Sequence, residues 1–201
     1  MSLEMLSKHS AFTKVGMEHS TLEELEAGLE EIRQSPQDEG VLRLIVRRPQ
    51  TGAREVLEEG ELHLTEGLVG DNWSTRRSSP APGGAPDPEM QLNVVNARVI
   101  ALVAREESRW GLAGDQLFID LDLSAENLPS GTQLAVGSAV IEVTARPHAG
   151  CHKFAQSFGV DAMKFVNSPL GRQFRLRGIN AKVVRRGVIR VGDSVKKTRG
   201  R

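Results

Sequence analysis

The sequence predicts a mainly β domain, a β-rich α+β fold in which the strands form a barrel or sandwich. Two observations carry this. After Gly40 the chain breaks into short β-prone runs separated by turn residues, spaced too closely for alternating βα units. The composition, 39% hydrophobic and 26% charged over 201 residues, is that of an ordinary globular chain with enough apolar mass for one domain.

Taken in order, residues 1–19 show no period and read as a loosely held arm. A helix follows, with Ser20 as N-cap, Glu23 at the capping-box spacing, and Leu22, Leu25, Leu29 and Ile32 on one stripe. Ser35-Pro36 and Gly40 end it. Residues 1–40 thus form an arm and amphipathic helix packed on, or extending, the main domain. Val41–Val46, Arg54–Leu57 and Leu62–Thr65 then read as an antiparallel meander. Residues 78–89 hold four prolines and two glycines, so they form neither helix nor central strand. A loop is expected there, either a lid over a site or a tolerated insertion.

Leu92–Val103 reads as one long strand, with Asn93, Asn96 and Arg98 exposed or lining a pocket. Arg105–Trp110 suggests a helical turn and Phe118–Leu121 a brief strand. Thr132–Val136 and Ala139–Thr144 flank Gly137-Ser138 as a hairpin. Two short helical pieces, Lys153–Phe158 and Asp161–Val166, are divided at Gly159 and turn Phe154, Phe158 and Phe165 to the core. Ser168-Pro169 has the cap-then-proline order of a helix start. Asn180–Val184 and Val188–Val195 read as a closing hairpin. The main domain is set at 41–195, and 196–201 as a basic, frayed tail.

Charge is unevenly placed. Residues 1–145 carry 12 Lys+Arg against 24 Asp+Glu, whereas residues 146–201 carry 14 against 2. The basic end either attracts an anionic ligand or neutralises the acidic portion within one fold. Nucleic acid is a poor partner for a chain with no tyrosine and 4% aromatics, which offers few stacking surfaces. A single cysteine excludes an intrachain disulfide and suits a reducing compartment. With no signal-like start and no membrane-length apolar run, the chain is expected to be cytoplasmic.

The change of sign falls at Arg146-Pro147-His148-Ala149-Gly150-Cys151-His152-Lys153-Phe154. This stretch holds the lone cysteine and two of the five histidines. Pro147 and Gly150 make it a loop. Cations beside a thiol favour the thiolate, the form that attacks electrophiles and binds soft metals. The alternative is a buried structural cysteine. Other chemistries lack their motifs: there is no Gly-x-Gly-x-x-Gly after a strand, no P-loop, no Cys-x-x-Cys, and the histidines lack the placement of a zinc helix, since His148 and His152 span a loop. His148 and Cys151 sit too close in one loop for the usual pair of a thiol hydrolase.

Several stretches around this cysteine fall in an ordered series. Glu66-Gly67-Leu68-Val69-Gly70-Asp71 comes first, then Asp122 through Gly137. Ala139–Thr144 leads to Cys151-His152-Lys153-Phe154. Gly178–Val183 and Gly187–Asp193 follow. Together they resemble the MOSC domain, named for the C-terminal domain of molybdenum cofactor sulfurase, across about residues 41 to 195. The resemblance implies a MOSC-like β-barrel with a few short peripheral helices. It also implies binding of the molybdenum cofactor (molybdopterin) through Cys151, as metal ligand or sulfur carrier, with reduction or sulfur transfer as the activity.

In that reading Cys151 and His148 are the catalytic candidates, and Cys151 is the metal ligand. Arg98, His148 and Lys153 would contact an anion or supply protons, and Asn96 and Asn180 would bond the pterin. Each of these five could instead be a solvated surface residue. The partners implied are the cofactor or a small-molecule substrate, and a cysteine desulfurase or reductase. The sequence departs from the family in lacking a His-His-Gly-Gly type motif, and Gly150, not proline, precedes the cysteine. It has no room for the pyridoxal-phosphate domain of the sulfurase. A sulfur carrier without turnover, or a nucleic-acid-binding barrel, are the alternative functions.

Overall fold

The computed structural model describes residues 19–75 and 86–198. The expected arm at 1–18, most of the proline-rich loop and residues 199–201 lie outside them. Eleven strands are described: β1 (Glu39–Arg47), β2 (Glu55–Leu57), β3 (Glu59–His63), β4 (Gly67–Leu68), β5 (Leu92–Asn96), β6 (Leu117–Asp120), β7 (Gln133–Val136), β8 (Ala139–Val143), β9 (Ile179–Arg185), β10 (Gly187–Arg190) and β11 (Ser194–Thr198). Strands β11, β7, β8, β9, β5, β6 and β1 pair in that order, and β11 returns to β1, so seven strands close a barrel. Six of the seven pairings in the ring are antiparallel. The exception joins β5 to β6 in parallel. The fold class expected from the sequence is the one found.

Two apolar clusters divide the strands by side-chain parity. Leu42, Ile45, Leu92, Val94, Leu117, Ile119, Leu134, Ile141, Ile179, Val183 and Val195 fill the barrel. Leu44, Val46, Val95 and Phe118 point the other way, beneath the helices. On β1 the register shifts between Leu42 and Leu44, and this bulge lets Leu42 and Ile45, an odd number of residues apart, both face inward. Gly40 is required where β1 passes β6, since a Cβ there would lie 2.0 Å from the Asp120 carbonyl oxygen. A second sheet, β10-β3-β4, adds Leu62, Leu68 and Ile189 to the interior.

The helices are α1 (Leu22–Ala27), α2 (Leu29–Arg33), α3 (Ala97–Ala104), α4 (His152–Phe158), α5 (Val160–Asn167) and α6 (Pro169–Gln173). The leading helix is capped one residue later than the sequence suggests. Thr21 and Glu24 form the reciprocal box, and Ser20 instead accepts a bond from Arg105. The expected single helix is divided at Gly28, and Leu25 on α1 and Ile32 on α2 are both buried, so the two pieces pack on the barrel's outer layer. Ser168 and Pro169 start α6 as expected, and Phe154, Phe158 and Phe165 are core.

Three expectations are corrected. The run from Leu92 to Val103 is not one strand: it turns at Asn96, whose side chain caps α3, and this crossover makes β5 and β6 parallel. Valine and isoleucine gave it a strand texture, but burial on the barrel overrides propensity. The closing segments form no hairpin with each other. β9 lies between β5 and β8, β10 pairs with β3, and β11 joins β7 to β1. Finally, Lys196–Thr198 are not a frayed tail but the end of the barrel-closing strand.

The charge asymmetry resolves largely inside the fold. Basic residues of the last quarter pair with acidic ones of the first three: Arg146 with Asp87, Arg177 with Asp115, Lys182 with Glu89 and Glu142, Arg190 with Glu59, Lys196 with Glu39 and Lys197 with Asp38. Among the described residues, no helix is long and apolar enough to cross a membrane.

Candidate functional site

The segment from Thr144 to Cys151 leaves β8 and runs to α4 without regular structure, so its shape depends on side-chain bonds from its neighbours. Two asparagines provide them. The Asn180 amide donates to the carbonyls of Arg146 and Pro147, each at 3.2 Å, and its oxygen accepts from Asn93 at 2.7 Å. Asn167 clamps Gly150 reciprocally: its oxygen accepts the Gly150 N–H and its amide donates to the Gly150 carbonyl, both at 2.9 Å. The clamp explains the glycine before the cysteine. A Cβ at Gly150 would meet Val166 Cγ2 at 2.9 Å and Asn167 Nδ2 at 3.2 Å.

Cys151 is the residue preceding α4, and its thiol is free and exposed. The buried alternative is thereby excluded. It opens on a pocket of about 190 Å³ that it lines with Lys153, Arg48, Asn72, Asn93 and Arg177. The arginines are fixed from behind. Arg48 makes a forked pair with buried Asp71, Nε to Oδ2 and Nη2 to Oδ1 both at 2.9 Å, and also donates to Asn93 and to the Gly114 carbonyl. Arg177 donates to both oxygens of Asp115, at 2.9 and 2.8 Å, and to the Ala113 carbonyl, and its guanidinium lies 4.9 Å from the Phe154 ring centre.

Such pairs are geometrically rigid, and breaking either one leaves a charge unpaired in the interior. Two polar atoms of the lining remain unpartnered though buried: Arg177 Nε and Asn72 Oδ1. Lys153 is exposed at the rim.

His148 faces elsewhere. It lines a second, larger cavity of about 630 Å³ on the other side of the loop, together with Arg146, Arg172, Arg175, Val166 and Ile179. The link between the two cavities is Asp115, which is fully buried, binds Arg177 and lies 3.6 Å from His148 Nδ1. Burial, then the Arg177 and Arg48 guanidiniums, hold the His148 imidazole well below its usual value, so the ring is neutral near pH 7. The Asp115 carboxyl is pushed up by its burial, against the pull of Arg177 and then Arg48.

Of the residues singled out from sequence, Cys151 and Lys153 therefore share a pocket, and Asn180 stands behind it. His148 sits beyond Asp115 and, being neutral, is neither a cationic anion contact nor an acid of ordinary strength. Asn96 is 3% exposed, and its side chain is fully occupied: its oxygen accepts from the Arg98 and Val99 N–H groups, its amide donates to Ser35 and the Leu121 carbonyl. Arg98 pairs with Asp120 and Glu31 away from both cavities. These two residues hold α2, α3 and β6 together, and neither is a solvated surface residue nor a pocket contact. The residues the sequence did not single out are Arg48, Asp115, Asn167 and Arg177, which come from four separate segments. Only Asn93, read as exposed or pocket-lining, was signalled, by its place among apolar strand residues.

Among the described residues no group of three or more histidine, cysteine, aspartate or glutamate side chains is placed to hold a metal ion. The site has instead one exposed thiol beside fixed guanidiniums and an exposed lysine. The family model of the MOSC domain matches residues 87–196, more than half of the chain. Among solved structures, the YUAD protein of Bacillus subtilis is similar with a TM-score of 0.60 at 15% identity, over 81% of this chain and 97% of that one. A hypothetical protein is similar with a TM-score of 0.54 at 19% identity, covering 84% and 71%. YiiM of Escherichia coli is similar with a TM-score of 0.52 at 19% identity, covering 80% and 71%. No curated protein sequence matches. Likeness at such identity speaks for the barrel, and the family match covers the segment that carries the cysteine: the chain belongs to the MOSC domain family.

Proposed function

We propose that this protein binds a molybdenum-bearing pterin cofactor with Cys151 as the protein's ligand to the metal, and that reduction or sulfur transfer is carried out there. The observation that carries the reading is the exposed Cys151 thiol at the rim of a pocket walled by Arg48, Arg177, Asn93 and Lys153. The residues fit such a group. A thiolate suits a soft metal, and a single protein ligand suffices when the cofactor brings the others. The unpartnered Arg177 Nε and Asn72 Oδ1 leave a donor and an acceptor at the pocket. Lys153 would meet the anionic end of the cofactor, Arg48 and Arg177 would orient it, and Asn180 and Asn167 would keep the cysteine loop in place. When bound, such a cofactor supplies two-electron chemistry at its metal.

The test is direct. Protein purified from a host that makes the cofactor, or reconstituted with it, should contain molybdenum and yield fluorescent pterin oxidation products, and Cys151→Ala should lose both. Wild-type protein that retains neither would end this reading.

The exposure of the thiol also favours a second reading, a sulfur carrier without turnover, because persulfide transfer requires a partner's sulfur to reach Cys151. Incubation with a cysteine desulfurase and free cysteine, whose sulfur the enzyme passes from its own persulfide to the Cys151 thiolate while returning to a thiol, should then add the mass of one sulfur atom to wild type and nothing to Cys151→Ala.

A further inference from the structure

We propose that the larger cavity, on the far side of the cysteine loop, is a separate binding site for a small organic anion, one with an apolar body and a carboxylate or phosphate head. Its apolar walls come from Val166, Ile179 and Pro147. Its charged lining is not balanced in the way the Cys151 pocket is. There Arg48 and Arg177 each face a buried carboxylate. Here Arg175 is part-buried, and among the described residues its side chain makes one bond, from Nη1 to the Leu128 carbonyl at 2.6 Å, with no carboxylate against it. Burial pulls its guanidinium down from the usual range, the mark of a cation that has lost water without gaining a counterion. The side chain of Arg172, three residues earlier at the same cavity, is exposed and has no partner among the described residues. Of the three arginines lining the cavity, Arg146 is the one ion-paired among the described residues, to Asp87.

The backbone supports a built site. Arg175 takes a left-handed conformation, φ 47°, one of two non-glycine residues to do so among those described. Arginine is held there by bonds on both sides: its N–H donates to the Arg172 carbonyl and its carbonyl accepts from Gly178. Strain of this kind persists where surrounding structure imposes it, and such positions cluster at ligand clamps. Arg175 and Arg172 both line the cavity, and guanidiniums offer a planar or tetrahedral anion forked bonds. The neutral His148 adds polarity without charge. Its Nδ1 is buried without a hydrogen-bond partner among the described residues, 3.6 Å from Asp115, so the ring has unmet hydrogen-bonding capacity at the cavity.

The site stands whatever Cys151 carries, and it can be tested without the cofactor. Isothermal titration of the purified protein should show binding of benzoate or phenyl phosphate and none of benzamide, which keeps the ring and removes the charge. Amide shifts in a ¹⁵N-labelled sample should move at Ala145, Ala149, Val166 and Ile179 and not at Gly52 or Lys153. Arg172→Met, at an exposed side chain, should weaken the anions at least about tenfold, the scale of one lost charge-assisted bond. Arg175→Met should do the same if circular dichroism shows it folded, and Cys151→Ala should leave binding unchanged. Equal binding of benzamide, shifts confined to the Cys151 pocket, no response to Arg172→Met, or no binding of either anion would each overturn the proposal.

Discussion

Replacing Asp115 by asparagine removes the one charge that balances Arg177 in the interior. The carboxylate is 0% exposed and receives two bonds from a single Arg177 nitrogen, at 2.9 and 2.8 Å, while Arg177 is itself 5% exposed. Asparagine keeps one acceptor but turns an amide donor toward a guanidinium. The arginine then stays buried with its charge unmet, which costs about 3–5 kcal/mol. Removing both charges together, as in Asp115→Leu/Arg177→Met, should recover much of that loss, since the penalty belongs to the uncompensated partner and not to the absence of the pair. Urea unfolding at pH 7, with the midpoint and slope compared across wild type, Asp115→Asn and the double variant, measures all three. A loss below about 1 kcal/mol for Asp115→Asn, or a double variant no more stable than the single, would refute the reasoning.

Other outcomes follow from the same geometry. His148 is held neutral in the folded state while its unfolded value is 6.5, so the unfolded chain binds more protons below that pH. Stability should therefore fall as pH drops below 6.5, by up to about 1.4 kcal/mol per pH unit from this group. In His148→Gln that part of the slope between pH 6.5 and 5 should vanish, and an unchanged slope in denaturant midpoints would contradict the assignment. Asn167→Ala removes both bonds to Gly150 and should cost about 1–2 kcal/mol, with faster hydrogen exchange at the Gly150 amide. Asn96→Ala should destabilise by about 1–3 kcal/mol through the lost cap and buried bonds, and leave molybdenum content per folded protein at the wild-type level.

What could be read from the residues alone follows from how local each feature is. The β7–β8 hairpin was legible because alternation and the Gly137-Ser138 turn lie within one short window. The same holds for Ser168-Pro169, where the cap and first helical residue are adjacent. Asn96 shows the limit. In sequence it is a polar residue inside a strand-like run, and only the turn of the chain makes it the cap of α3. The cysteine was found because it is unique, and its exposure could not be read. Arg48, Asp115 and Arg177 were missed because each is an ordinary charged residue until the fold places it opposite its partner. Those partners lie 23 residues away for Arg48 and 62 for Arg177.

The closure of the barrel sets an order of events. Strand β1 is completed near residue 47, yet the edge that β2 covers from Ile45 to Arg47 is covered from Glu39 to Val41 only by β11, and the bond between Glu39 and Ser194 joins residues 155 apart. During synthesis, β1, β5 and β6 can associate beneath the helices while the seam at Glu39–Val41 stays open. Loop closure over such a distance comes late, and long-range pairing slows folding. Until β11 arrives, the nascent chain carries an unpaired edge able to template another copy. The last strand is thus where folding and aggregation compete, and chaperone demand should be greatest in the interval before residues 194–198 leave the ribosome.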